Sequence, residues 1–70
     1  MHEPVRSTNI RSVGYRQAER VLEIAFLSGG VYRYDNVPAD VHGALMASPS
    51  KGGFLARFIK GHYSYRLISS

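Results

Sequence analysis

The feature that most constrains this chain is a hairpin pattern in its first half. Leu22, Ile24 and Phe26 recur at every second position, Ser28-Gly29-Gly30 follows, and Val31-Tyr32-Arg33-Tyr34 comes next. Period-two alternation marks a strand with one buried face, because successive side chains leave a strand on opposite sides. Glycines supply the positive backbone angles of a tight turn, so Val31 to Tyr34 is expected to pair back on Val21 to Leu27. Upstream, Ser7 to Arg16 reads as another strand, with Ile10, Val13 and Tyr15 as its apolar members and Gly14 as a bulge or close-approach point. These segments make a three-stranded antiparallel β-meander.

The second half changes period. Pro38 suits the first turn of a helix, where its missing N–H is not needed, and Val41, Leu45 and the alanines recur at helical spacing up to Ala47. Gly43 weakens that helix by roughly 1 kcal/mol relative to alanine. Ser48-Pro49-Ser50 breaks it and offers a serine cap for a second helix, whose stripe is Phe54, Leu55, Phe58 and Ile59 and whose stop is Gly61. Tyr63 to Ile68 alternates again and reads as a final strand or extended tail against the sheet. The expected architecture is α+β, in the order β-β-β-α-α-β, with the helices on one face of an antiparallel sheet. The first half-dozen residues and Ser69-Ser70 are expected to be loose ends.

Seventy residues allow one core, so the chain reads as a single domain with its folded part at about residues 7–67. There is no cysteine, which excludes disulfides, Cys-ligated zinc and thiol catalysis and leaves packing or self-association to hold the fold. No apolar run approaches the ~20 residues of a membrane span, and Met1-His2-Glu3-Pro4-Val5-Arg6 carries no signal-peptide core, so a cytoplasmic protein without a membrane partner is expected.

Enzymatic chemistry finds no support in the residues. His2, His42 and His62 lack metal-ligand spacing, Glu19, Glu23, Asp35 and Asp40 form no recognisable carboxylate pair, and no serine sits in a nucleophile elbow. No metal, cofactor or catalytic residue is expected. Nine Lys and Arg against five acids give a net charge of +4, which favours anionic partners.

The Leu-x-Ile-x-Phe strand, the Ser-Gly turn, Tyr32-Arg33-Tyr34, the Val37-Pro38 helix start, Ser50-Lys51-Gly52, Ile59 and Tyr63-Ser64-Tyr65 together resemble the KTSC domain. The resemblance covers about Ser7 to Leu67. It implies a short bacterial and phage module that occurs alone or at the C-terminus of some lysyl-tRNA synthetases, with RNA binding suggested for the family. Adenylate-forming chemistry is not implied, because that machinery needs a far larger domain. One departure from the family pattern is Gly53 beside Gly52, where a bulkier residue is more usual.

The tyrosine motif admits two readings, set by the hairpin loop. A two-residue Ser28-Gly29 turn pairs Ala25 with Tyr32 and Glu23 with Tyr34, facing both tyrosines away from the Leu22 row. A three-residue loop with a glycine bulge shifts the register by one and puts both over the core. Exposed tyrosines beside Arg33 would form a base-stacking platform, whereas buried ones would be structural. Tyr63 and Tyr65 are expected to pack on the sheet.

Ser48 to Gly53 has the parts of an anion site or of a plain capped turn, and it lacks the Walker order. Arg57 and Lys60 lie off the apolar stripe, and with Lys51 and Arg66 would make a phosphate-tracking surface if they converge. The candidate nucleic-acid contacts are therefore Tyr32, Arg33, Tyr34, Lys51, Arg57, Lys60 and Arg66. The expected function is a non-catalytic module for RNA or single-stranded nucleic acid, the alternative being a protein-interaction or dimerisation module.

Overall fold

The loop of the central hairpin sets the register of the whole sheet. The computed structural model describes residues 9–69 and the backbone of residues 2–4. Its strands are β1 (His2–Pro4), β2 (Ile10–Arg16), β3 (Val21–Phe26), β4 (Val31–Tyr34) and β5 (Tyr65–Ser69). Between β4 and β5 lie α1 (Ala39–Ala47) and α2 (Lys51–Phe54), the latter running into a π-helical turn at Leu55–Ile59. All five strands form one antiparallel sheet in the order β1-β2-β3-β4-β5. The fold is thus α+β with the expected order β-β-β-α-α-β, preceded by a short extra strand.

That extra strand corrects the expectation of a loose start. His2 pairs with Gly14 and Pro4 with Ser12, an edge position where a proline without an N–H is tolerated. Ser7 and Thr8, the expected start of the first long strand, lie outside the described residues, as does Ser70.

In β2 the bulge falls at Arg11, not at Gly14. The partners step from Ile10 opposite Phe26 to Ser12 opposite Ala25, so Arg11 is the extra residue, while Gly14 pairs in regular register with Glu23. The consequence is physical. Ile10 and Val13 are three apart, and without the inserted residue they would point to opposite faces; with it both are buried on the same one.

The β3–β4 loop is the three-residue alternative. Phe26 N–H donates to the Gly30 carbonyl at 2.8 Å and Gly29 N–H donates to the Phe26 carbonyl at 3.0 Å, which leaves Leu27-Ser28-Gly29 as the loop. Gly29 has φ +116°, a conformation side chains rarely adopt. Tyr34 therefore pairs with Leu22 and Tyr32 with Ile24, and both tyrosines lie on the core face. Arg33 faces the other way, opposite Glu23.

The crossing from β4 to α1 is held at Val37, which is fully buried. Its N–H donates to the Arg20 carbonyl at 2.9 Å, and its carbonyl accepts the Tyr15 hydroxyl at 2.6 Å. The Tyr15 ring stacks flat on His42 of α1, with centroids 4.4 Å apart, so one strand residue fixes both the entry and the face of the helix. Pro38 caps α1 and Leu45 is its buried residue.

Ser50 caps α2 through its Oγ, which accepts from Gly53 N–H at 3.3 Å. In the π-turn the Lys60 N–H donates to the Leu55 carbonyl at 2.8 Å, five residues back. The expected four-residue stripe is split by this turn. Leu55 and Ile59 are buried, whereas Phe58 is 53% exposed, its ring meeting Phe54 and the Arg57 guanidinium.

The core joins Ile10, Val13, Leu22, Ile24 and Tyr34 of the sheet to Val37, Leu45, Leu55 and Ile59 beneath it. Burial of each such aliphatic side chain contributes about 1.5–3 kcal/mol. Among the described residues no helix is long and apolar enough to cross a membrane.

Candidate functional site

The helix-covered face of the sheet is not filled at its β5 end. Leu67 pairs with Tyr32 and Tyr65 with Tyr34, so both face the same side as the core, yet each is more than half exposed. The result is a groove of about 500 Å³ lined by Phe26, Ser28, Tyr32, Tyr34, Lys60, Gly61 and Tyr65. That volume falls in the range of small-ligand clefts, ~300–1,000 Å³.

Aromatic rings form a continuous wall. Phe26 meets Tyr32 edge-on at 5.6 Å, Tyr32 lies 5.9 Å from Tyr65, and Tyr65 lies 5.6 Å from Tyr34. Lys60 stands at the lip, its Nζ 5.8 Å from the centre of the Phe26 ring. Gly61, with φ +82°, turns the chain there so that Lys60 leaves the helix toward the groove.

Tyr34 is the floor. Only 2% of the residue is exposed, it lines the groove, and among the described residues no group hydrogen-bonds its hydroxyl. Because no side-chain polar atom among the described residues is both enclosed and unpaired, that small exposure includes the hydroxyl, on a residue that lines the groove. Burial, then the neighbouring Tyr65 and Tyr32 phenols, raises its pKa above the ordinary 10.0, so it is a neutral O–H donor in the physiological range.

The seven candidate contacts are divided among three places. Tyr32, Tyr34 and Lys60 meet at the groove. Arg33 and Arg66 are cross-strand neighbours on the opposite face of the sheet, where Arg33 Nε donates to Asp35 Oδ1 at 3.0 Å. Lys51 and Arg57 stay on the helical side. The structure therefore does not bring Lys51, Arg57, Lys60 and Arg66 together, since strand alternation sends Arg66 away from the helices. Neither Arg57 nor Lys60 is paired with a carboxylate among the described residues.

The Lys51 turn is closed by the protein itself. Lys51 Nζ donates to the Ser48 carbonyl at 2.8 Å, and a Cβ added at Gly52 would stand 2.5 Å from Asn9 Oδ1. The space that glycine leaves there is taken by Asn9, not left for an anion. At Gly53 a Cβ would meet the capping Ser50 Oγ at 2.9 Å, which accounts for a glycine at that position too.

Phe26 and Tyr65 also line the site, whereas their sequence patterns point only to core and sheet packing. The signal that would have placed Tyr65 is the pairing of β5 with β4, which no local pattern carries. Among the described residues no group of three or more His, Asp or Glu could hold a metal ion.

Comparison with known proteins decides the family. The profile of the KTSC domain matches residues 6–63. This chain belongs to the KTSC domain family. The crystal structure of a KTSC domain protein from Yersinia pestis superposes with a TM-score of 0.95 at 41% identity, covering 97% of this chain and 96% of that one. An uncharacterised protein of Stutzerimonas stutzeri is 39% identical over 62 residues, covering 87% of each. A lysine–tRNA ligase of Nostoc punctiforme is 40% identical over 60 residues, which is 86% of this chain and 11% of the ligase. The KTSC domain is thus found both as a small protein and within a much longer enzyme, and it is not a known catalytic family.

Proposed function

We propose that this KTSC domain is a non-catalytic module that binds RNA or other single-stranded nucleic acid at the groove of Phe26, Tyr32, Tyr34 and Tyr65, with Lys60 meeting a phosphate. The observation that carries this reading is the half-exposed Tyr65 ring in the same groove as Lys60, which has no carboxylate partner among the described residues. A base stacked on an exposed aromatic ring gains about 1–3 kcal/mol by truncation measurements, and stacking tolerates any base. The net charge of +4 favours a polyanion, and the similar segment of lysine–tRNA ligases belongs to proteins whose named substrate is a tRNA.

The test is fluorescence anisotropy with labelled single-stranded RNA and tRNA at about 50 and about 200 mM salt. Affinity is expected to fall about two- to threefold over that range for each phosphate contacted, following a slope near −0.7 per phosphate. Tyr65→Ala and Lys60→Ala should each weaken binding without unfolding the domain. Absent binding, or binding untouched by both variants, would overturn the proposal.

A second reading, a protein-interaction or dimerisation module, is favoured by β5. It is an edge strand whose five residues are all exposed, Tyr65, Leu67 and Ile68 among them. Such an edge is a template for another strand. Self-association would raise the melting midpoint with protein concentration, and midpoints unchanged over about a hundredfold dilution would remove it.

A further inference from the structure

Tyr34 poses a specific question, because a buried phenol normally finds a partner for its hydroxyl. Tyr15, on the same face, does so with the Val37 carbonyl. Tyr34 is 2% exposed, its hydroxyl has no hydrogen bond among the described residues, and it is part of the groove's lining. A stacking wall alone would not need it, since a phenylalanine there would fill the same space.

We infer that the groove holds one unpaired nucleobase of a single-stranded RNA, stacked on Tyr65, with the Tyr34 hydroxyl hydrogen-bonding the base edge and Lys60 the adjoining phosphate. The inference rests on the nucleic-acid reading above and adds the element that reads the base. Three features favour this occupant. The wall is aromatic and suits a planar ring, the floor offers one polar atom, and the lip carries one cation. A single lysine matches the single phosphate of one nucleotide in a chain better than the clustered charge of a free nucleoside triphosphate. A paired base has its edge occupied by its partner and its faces covered by neighbours, so only an unpaired base fits.

The experiment compares the wild-type chain with Tyr34→Phe on three probes. These are a single-stranded RNA heptamer, a chain of the same length with abasic sugars, and a nucleoside monophosphate as competitor. The wild type is expected to bind the heptamer more tightly than the abasic chain. Tyr34→Phe should weaken the heptamer complex roughly three- to tenfold, as expected for one lost hydrogen bond, and leave the abasic complex unchanged. Its melting midpoint should stay within error of the wild type or rise, since no protein partner is lost. Equal heptamer affinity for wild type and Tyr34→Phe would overturn the inference while leaving the stacking reading intact. A lowered midpoint would make the hydroxyl structural and overturn it as well. Tighter binding of the monophosphate than of the heptamer would make the ligand a soluble nucleotide and overturn the RNA assignment. No heptamer binding by the wild type would remove the nucleic-acid reading itself.

Discussion

Tyr15 and Tyr34 sit on the same face of the same sheet, and their surroundings differ in kind. At the β2 end the Tyr15 hydroxyl donates to the Val37 carbonyl, its ring stacks on His42, and α1 closes over it with Val37 and Leu45 buried. At the β5 end the Tyr65 ring meets those of Tyr32 and Tyr34, Tyr65 itself is more than half exposed, and Tyr34, with its hydroxyl unpaired among the described residues, lines a groove. One end of the sheet uses its aromatic residues to attach a helix. The other leaves aromatic surface and a donor uncommitted, as a binding surface requires and a fold alone does not.

The largest effect should come from the closed end. Leu45→Ala opens a cavity where α1 meets the sheet and should cost about 2–5 kcal/mol by urea unfolding, a large fraction of the stability of so small a domain. Tyr15→Phe leaves the buried Val37 carbonyl without its donor and should cost about 1–3 kcal/mol in the same assay. A Tyr15→Phe protein as stable as the wild type would erase the contrast between the two ends.

At the open end the effects on stability are smaller and appear in other measurements. The folded-state pKa of Tyr34 lies above the unfolded value of 10.0, so the folded state keeps this proton where the unfolded state gives it up. Its contribution to stability is therefore fully present below pH 10.0 and is lost as pH rises through the higher folded value. Urea midpoints measured across that alkaline range should fall less steeply for Tyr34→Phe, and parallel curves would place the titration elsewhere. Lys60→Ala should leave the unfolding free energy within about 1 kcal/mol, the scale of an exposed cation–π contact, and reduce the salt slope of RNA binding by about 0.7. Arg66→Ala, on the opposite face, should leave groove binding unchanged.

Much of the fold was legible in the residues because its signals are local. The period of Leu22, Ile24 and Phe26, the Ser50 cap and the Gly61 stop each depend on neighbours within a few positions. What was not legible depends on pairing between distant segments. The hairpin loop left two registers open, and only the ladder of Leu22 with Tyr34 and Ile24 with Tyr32 chose between them. The bulge at Arg11 and the π-turn that turns Phe58 outward are single-residue insertions with no composition of their own. The candidate site was readable for Tyr32, Tyr34 and Lys60. Tyr65 became part of it only through the β4–β5 pairing, and Arg33 and Arg66 left it by strand alternation.

The most direct test of the account is an NMR titration of the isotope-labelled chain with a single-stranded RNA heptamer, following every backbone amide and tyrosine ring. The account predicts saturable shifts at Phe26, Tyr32, Tyr34, Lys60 and Tyr65, with Arg33, Arg66 and the Tyr15–His42 end unmoved. Shifts confined to the Arg33–Arg66 face, or none anywhere, would contradict it.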